Sequence, residues 1–89
     1  MQKVEIYTQP QCSFCSHAKA LLDSREIAYE EYNVATDQGV LSEMLNRTGG
    51  RTLPQIVINN QAIGGFDDLR QLDNEGRLSP LLDTGSSAQ

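Results

Sequence analysis

Before Val34 the chain changes hydrophobic period twice, and that alternation limits the folds open to it. Val4-Glu5-Ile6-Tyr7-Thr8 alternates apolar and polar side chains and is rich in β-formers, the pattern of a strand. Gln9-Pro10-Gln11 breaks it, and from Cys12 onward the period becomes helical. Phe14, Ala18, Leu21 and Leu22 share one face with Cys15 near its edge, while Lys19, Asp23 and Arg25 lie elsewhere. Ser24 to Glu26 ends the helix, and Ala28 to Val34 reads as a second strand. A strand, a helix and a strand in so few residues predict a right-handed crossover between parallel strands.

The remaining elements follow from local signals. Thr36-Asp37 offers helix caps before Val40, Leu41, Met44, Leu45 and Thr48, and Gly49-Gly50 stops that helix. Ile56-Val57-Ile58 is short, continuous and β-branched, as expected of a strand covered on both faces. Asn59-Asn60 is a turn, Gln61 to Ile63 returns as an antiparallel edge strand, and Gly64-Gly65 ends it. Asp67 and Asp68 then suit the first turn of a helix that turns Leu69 and Leu72 inward. Leu78 to Leu82 adds a final turn, interrupted by Pro80. The order β-α-β-α-β-β-α implies an α/β fold with a four-stranded mixed sheet flanked by helices.

Eighty-nine residues make one domain, which buries only about 60–65% of the surface its unfolded chain exposes. The expected domain covers residues 1–83, with residues 84–89 as a flexible C-terminal tail that has little to bury. Twelve acidic against seven basic residues give a formal net charge of -5, which repels phosphate backbones and anionic membranes and argues against nucleic acid as a partner. No apolar run has the length of a spanning helix, and the start MQKVEIYTQPQ lacks a stretch of signal-peptide length, so the sequence reads as cytoplasmic.

The only two cysteines, Cys12 and Cys15, lie in the string PQCSFC. In a reducing compartment a disulfide over so short a loop is a poor permanent staple. Cys12 falls at the strand-to-helix junction, where unpaired N–H groups and the helix dipole favour a thiolate, and Cys15 lies one turn inside. That is the arrangement of an attacking and a resolving thiol. A zinc site within one chain would have only these thiolates and His17, short of the usual four ligands. Two inert buried thiols fit poorly after a proline-containing turn. A redox pair is the favoured reading over both. His17 reads as a solvent-facing helix residue and Tyr7 chiefly as a packing residue.

The second half offers weaker signals. Thr52-Leu53-Pro54 precedes the central strand, and a cis proline there would present the Leu53 backbone to an extended partner. Gly64-Gly65-Phe66-Asp67-Asp68 sets a double glycine against a helix N-terminus, a natural site for a carboxylate. Each string alone is also compatible with an ordinary turn or an ordinary cap.

VEIYTQPQCSFC, GGRTLPQIVINN and IGGFDDL, in this order and spacing, resemble glutaredoxins over roughly residues 3–82. The resemblance implies a thioredoxin-like fold and a cytosolic oxidoreductase that uses glutathione as co-substrate to reduce glutathione mixed disulfides and protein disulfides. It implies Cys12 as the nucleophile and Cys15 as the resolving thiol. Thr52, Leu53 and Pro54 resemble the family's cis-proline turn, with the Leu53 backbone pairing with the cysteinyl part of glutathione. Gly65, Phe66 and Asp67 resemble the segment that holds its γ-glutamyl end, with Asp68 assisting.

Two positions depart from the commonest family pattern. Gln9 stands where many members have lysine, so the expected charge near the glycine carboxylate of glutathione falls to Arg51. CSFC stands in place of CPYC, so Ser13 replaces a rigid proline and Phe14 keeps an aromatic wall without a phenol. Relatives with serine there can hold a two-iron, two-sulfur cluster between two subunits. An iron–sulfur carrier, as a cluster-bridged dimer rather than a monomer, is therefore the alternative to the enzyme. A redox-inert interaction domain is a third possibility; it predicts an ordinary Cys12 pKa of about 8.5.

Overall fold

The computed structural model describes the backbone of residues 3–87 and the side chains of residues 3–82. Five strand residues, Val4–Thr8, form β1, and Ser13–Ser24 form α1. They are followed by β2 (Glu30–Asn33), α2 (Gln38–Thr48), β3 (Gln55–Ile58), β4 (Gln61–Gly64), α3 (Phe66–Asn74) and α4 (Leu78–Ser87). The strands lie in the order β2-β1-β3-β4, with β1 parallel to β2 and antiparallel to β3, and β3 antiparallel to β4. This is a thioredoxin-like α/β fold with the mixed sheet the sequence predicts.

Local chemistry explains most boundaries. Asp37 caps α2, its carboxylate accepting from the Gly39 N–H at 2.8 Å. Gly49 ends that helix at φ 71°, a left-handed conformation that favours glycine. Asn59 and Asn60, at φ 51° and 67°, make the tight turn between β3 and β4.

The two faces of the sheet have separate cores. Val4, Ile6, Ile56 and Ile58 pack against Ala18 and Leu22 of α1, Leu69 of α3, and Leu78 and Leu82 of α4. The opposite face gathers Tyr7, Val34, Val57 and Met44 of α2. The period of two in β1 therefore sends Glu5 inward beside Tyr7, where it is only 3% exposed. Arg47 of α2 meets it with two hydrogen bonds of 2.8 and 3.0 Å and a third of 2.8 Å to the Tyr7 hydroxyl, which donates to Glu43 at 2.9 Å. Arg47 holds the Glu5 carboxyl below the ordinary range, against the opposing effect of burial. Tyr7 thus packs and also anchors a polar network.

Two boundaries differ from expectation. The second strand is shorter than Ala28 to Val34, because only Glu30–Asn33 pair with β1 at the sheet edge. The final turn is a ten-residue helix, Leu78–Ser87, longer than the expected Leu78 to Leu82. Pro80 sits in its first turn, where a missing N–H breaks no intrahelical bond. Residues 88 and 89 of the expected tail lie outside the described residues. Among the described residues no helix is long and apolar enough to cross a membrane.

Candidate active site

β1 delivers the chain to one end of the sheet, and the turn at Gln9-Pro10-Gln11 carries it into α1, with Gln11 at φ 61°. Cys12 is the N-cap of α1, in extended conformation at φ -109° and ψ 106°. Its sulfur accepts a hydrogen bond from the Cys15 N–H at 3.1 Å, the role a serine or aspartate oxygen plays at other helix starts. No acidic residue occupies the first turn of α1, so nothing there opposes negative charge on that sulfur. Cys12 and Cys15 are joined as a disulfide with their Cα atoms 5.2 Å apart. Cys12 is partly exposed, whereas Cys15 is 2% exposed beneath it.

A cleft of about 470 Å³ opens beside Cys12, lined by Gln9, Val34, Ala35, Leu41, Met44, Arg51, Thr52 and Leu53. Four of the expected binding residues, Gln9, Arg51, Thr52 and Leu53, therefore meet at Cys12. The Leu53–Pro54 peptide is cis, and Pro54 is buried. Gln55, 5% exposed, donates its amide N–H groups to the Thr52 carbonyl at 2.9 Å and to the Thr52 hydroxyl at 3.2 Å. Gly50 makes room for that amide, since a Cβ there would lie 2.5 Å from Gln55 Nε2.

Gly65 comes against the same turn: a Cβ on it would lie 3.4 Å from the Pro54 carbonyl oxygen. It is the N-cap of α3, and its N–H donates to the Asp68 carboxylate at 3.0 Å. Asp68 is thereby engaged in holding the helix start, and it lines a separate cleft of about 540 Å³ formed with β4 and α4. Asp67 is exposed in the first turn of α3. Phe14, 58% exposed, stacks on Phe66 with ring centroids 6.2 Å apart, and neither ring lines the cleft that holds Arg51.

The walls Val34, Ala35, Leu41 and Met44 were not foreseen as site residues. Leu41 and Leu45 carried a signal: the apolar stripe of α2 is wider than the sheet covers, leaving them 37% and 36% exposed. Gln55 had no signal beyond its place after the TLP turn. His17 is exposed, as expected, but its ring lies 5.7 Å from Phe66. Among the described residues no group of three or more His, Cys, Asp or Glu could hold a metal ion.

The comparison with known proteins agrees with this geometry. The glutaredoxin family model matches residues 4–63. Glutaredoxin 1 of Rickettsia bellii is 48% identical over 87 residues, covering 93% of this chain and 89% of the relative. Glutaredoxin 3 of Escherichia coli K12 is 46% identical over 82 residues, covering 92% and 99%. Among solved structures, glutaredoxin from Brucella melitensis superposes with a TM-score of 0.80 at 42% identity, covering 93% of this chain and 90% of that one. A buckwheat glutaredoxin–glutathione complex superposes with a TM-score of 0.84 at 25% identity, covering 97% and 81%. Relatives matched over nearly their whole length, around a disulfide-forming CxxC pair, establish that this chain belongs to the glutaredoxin family.

Proposed function

We infer that the protein is a glutathione-dependent thiol–disulfide oxidoreductase in which Cys12 attacks and Cys15 resolves. The observation that carries the assignment is the contrast between the two sulfurs. Cys12 caps the helix, accepts the Cys15 N–H and lines the cleft, while Cys15 lies beneath the surface. Only Cys12 can meet an external disulfide first, and only its thiolate gains from the helix terminus.

In the first step the Cys12 thiolate attacks the glutathione sulfur of a mixed disulfide. The Cys12–glutathione bond forms, the mixed disulfide breaks, and the leaving thiolate takes up a proton. A second glutathione thiolate then attacks the glutathione sulfur, giving glutathione disulfide and restoring Cys12. With a protein disulfide, Cys12 bonds one substrate sulfur and releases the other. Cys15 next attacks Cys12, forming the internal disulfide and freeing the substrate thiol. Two glutathiones later reduce that disulfide to complete the two-electron cycle.

Glutathione binding follows from the cleft. Arg51 and Gln9 receive the glycine carboxylate, the Leu53 backbone pairs with the cysteinyl unit, and the start of α3 at Gly65, Phe66 and Asp67 takes the γ-glutamyl end. The glutathione carried by the buckwheat relative supports this reading. Thr52 and Pro54 shape the turn, Phe14 walls the disulfide, and Asp68 acts through the helix cap it holds. A reducing cytoplasm, where glutathione is abundant, is the setting that suits this cycle. An iron–sulfur cluster would have only Cys12 from each chain as a protein ligand, with glutathione supplying the rest, and no step above involves one.

The test is reduction of a small glutathione mixed disulfide. Cys15→Ser retains activity, because external glutathione resolves the intermediate, and Cys12→Ser abolishes it. Equal loss in both variants would show that the internal disulfide is obligatory and overturn the monothiol branch.

A further inference from the structure

The chain has seven lysines and arginines, and five stand in ion pairs: Lys3 and Arg47 with Glu5, Lys19 with Glu31, Arg25 with Asp73, and Arg77 with Glu75. Of the seven, Arg51 and Arg70 have no ion pair among the described residues. Arg51 lies in the glutathione cleft already described. Arg70 lies on α3 outside that cleft, its guanidinium carbon 5.8 Å from the centre of the Phe66 ring. Asp67, one turn earlier on α3, forms no ion pair with it. Phe66 stacks on Phe14, and His17 packs its ring against both at 5.7 and 6.2 Å. The result is an aromatic ridge, headed by the 58% exposed Phe14 and rimmed by one unpaired cation.

We propose that this ridge is the docking surface for protein disulfide substrates, and that it selects segments with an aromatic side chain beside the reacting cysteine and a carboxylate close by. The proposal rests on the oxidoreductase reading above and names the substrate class for it. The reaction itself dictates the occupant. When a substrate cysteine is bonded to Cys12, its neighbours in sequence extend no more than about 3.5 Å per residue, so they must lie on the surfaces flanking the disulfide. The cleft at Arg51 and Gln9 receives the glycine end of glutathione, and with no glutathione bound the exposed ridge headed by Phe14 is open to a protein segment tethered at Cys12.

The chemistry of the ridge sets its preference. Offset or edge-on packing against Phe14 suits another aromatic ring. A guanidinium lying over a ring keeps its N–H edge free, and that edge fits a carboxylate in a bidentate pair. On a chain of net charge -5 an acidic segment has few other places to land, so Arg70 supplies orientation as well as attraction. The step it assists is the one given above: one substrate sulfur bonds Cys12, the other leaves and is protonated, and Cys15 closes the internal disulfide.

Two synthetic peptides test the ridge, each closed by the same intramolecular disulfide, one flanked by Phe and Glu and the other by Ser and Lys. Pre-reduced protein is mixed with each in single turnover, without glutathione, and formation of the Cys12–Cys15 disulfide is followed. A small glutathione mixed disulfide is assayed separately with glutathione present. Wild-type protein is expected to reduce the acidic aromatic peptide roughly 5–30-fold faster, the range for one charge-assisted contact, with the ratio shrinking as salt rises. Arg70→Glu, an exposed helix position checked by circular dichroism, should remove or invert that ratio while leaving the small mixed disulfide within about twofold, as expected of a surface charge outside the cleft. An equal rate on both peptides in wild type, or equal slowing of all three substrates by Arg70→Glu, overturns the proposal. Failure of wild type on the small mixed disulfide would overturn the glutathione reading, and the peptide ratio would still decide the ridge.

Discussion

Replacing Arg47 with leucine isolates the polar network beneath the sheet. The substitution removes both hydrogen bonds to Glu5 and the one to the Tyr7 hydroxyl. It leaves a carboxylate whose side chain is 5% exposed. Removing one partner of a fully buried pair costs about 3–5 kcal/mol. Here the Arg47 side chain is 24% exposed, and Glu5 keeps the Tyr32 hydroxyl at 3.1 Å and the Lys3 ammonium at 4.0 Å. Those residual contacts bring the expectation to about 2–3 kcal/mol at pH 7, or roughly 10–20 °C in Tm for a domain this small. Urea unfolding followed by far-ultraviolet circular dichroism measures it. The pH dependence has a definite sign. Arg47 depresses the Glu5 pKa in the folded state, so its stabilisation is present above the unfolded value of about 4.3 and disappears as pH falls through the folded one. The gap between wild type and variant should therefore narrow in acid. Arg47→Leu combined with Glu5→Leu should recover at least half of the loss, since apolar replacements of a buried pair are often neutral. A loss below about 0.5 kcal/mol at pH 7, the usual range for a surface substitution, or a gap that stays constant into acid, would refute the reasoning.

Substitutions in the cleft, behind the TLP turn and at the start of α3 have further measurable outcomes. Arg51→Ala should weaken the use of glutathione by roughly 5–30-fold in apparent second-order rate, and Gln9→Lys should strengthen it, with the gain shrinking as salt rises. Gln55→Leu removes the amide that holds Thr52 and should lower kcat/KM for glutathione by about tenfold, with Gln55→Glu failing to rescue because it cannot donate. Gly64→Ala should destabilise by about 1–3 kcal/mol in urea, because φ there is 120° and the new Cβ meets the Asp68 carboxylate. Gly65→Ala, with an ordinary negative φ and a nearest approach of 3.4 Å, should cost less than about 1 kcal/mol.

What could be read in advance was what local chemistry determines. Asp37 and Gly49 bound α2, and the Asn59-Asn60 turn forces β4 back on β3, because each acts within a few residues of itself. The CxxC spacing likewise brings the two sulfurs together within one helical turn. Interactions that depend on which strands become neighbours were not legible. Glu5 looks like the solvent side of an alternating strand until Arg47, 42 positions later, is placed over it. Phe66 meets Phe14 only after α3 packs beside α1. The length of α4 was misjudged for a different reason: Pro80 looks like a breaker, but the helix begins at Leu78 and the proline falls where helices tolerate it. At the site, the motif residues marked the active end of the sheet, whereas its apolar walls came from helix positions indistinguishable from core.

The burial of Cys15 also bears on survival under oxidative stress. A peroxide meeting the reduced protein encounters Cys12 first and converts its thiolate to a sulfenic acid, with water or alcohol as the other product. That species is one step from irreversible sulfinic and sulfonic acids. Cys15 is 2% exposed, so bulk oxidant does not reach it, yet its Cα is only 5.2 Å from that of Cys12. Its thiol can attack the sulfenic sulfur and expel water, leaving the same internal disulfide that appears in the protein-reducing cycle. Damage is thereby returned to an intermediate that glutathione already reduces, and the sheltered thiol serves as the repair partner of the exposed one.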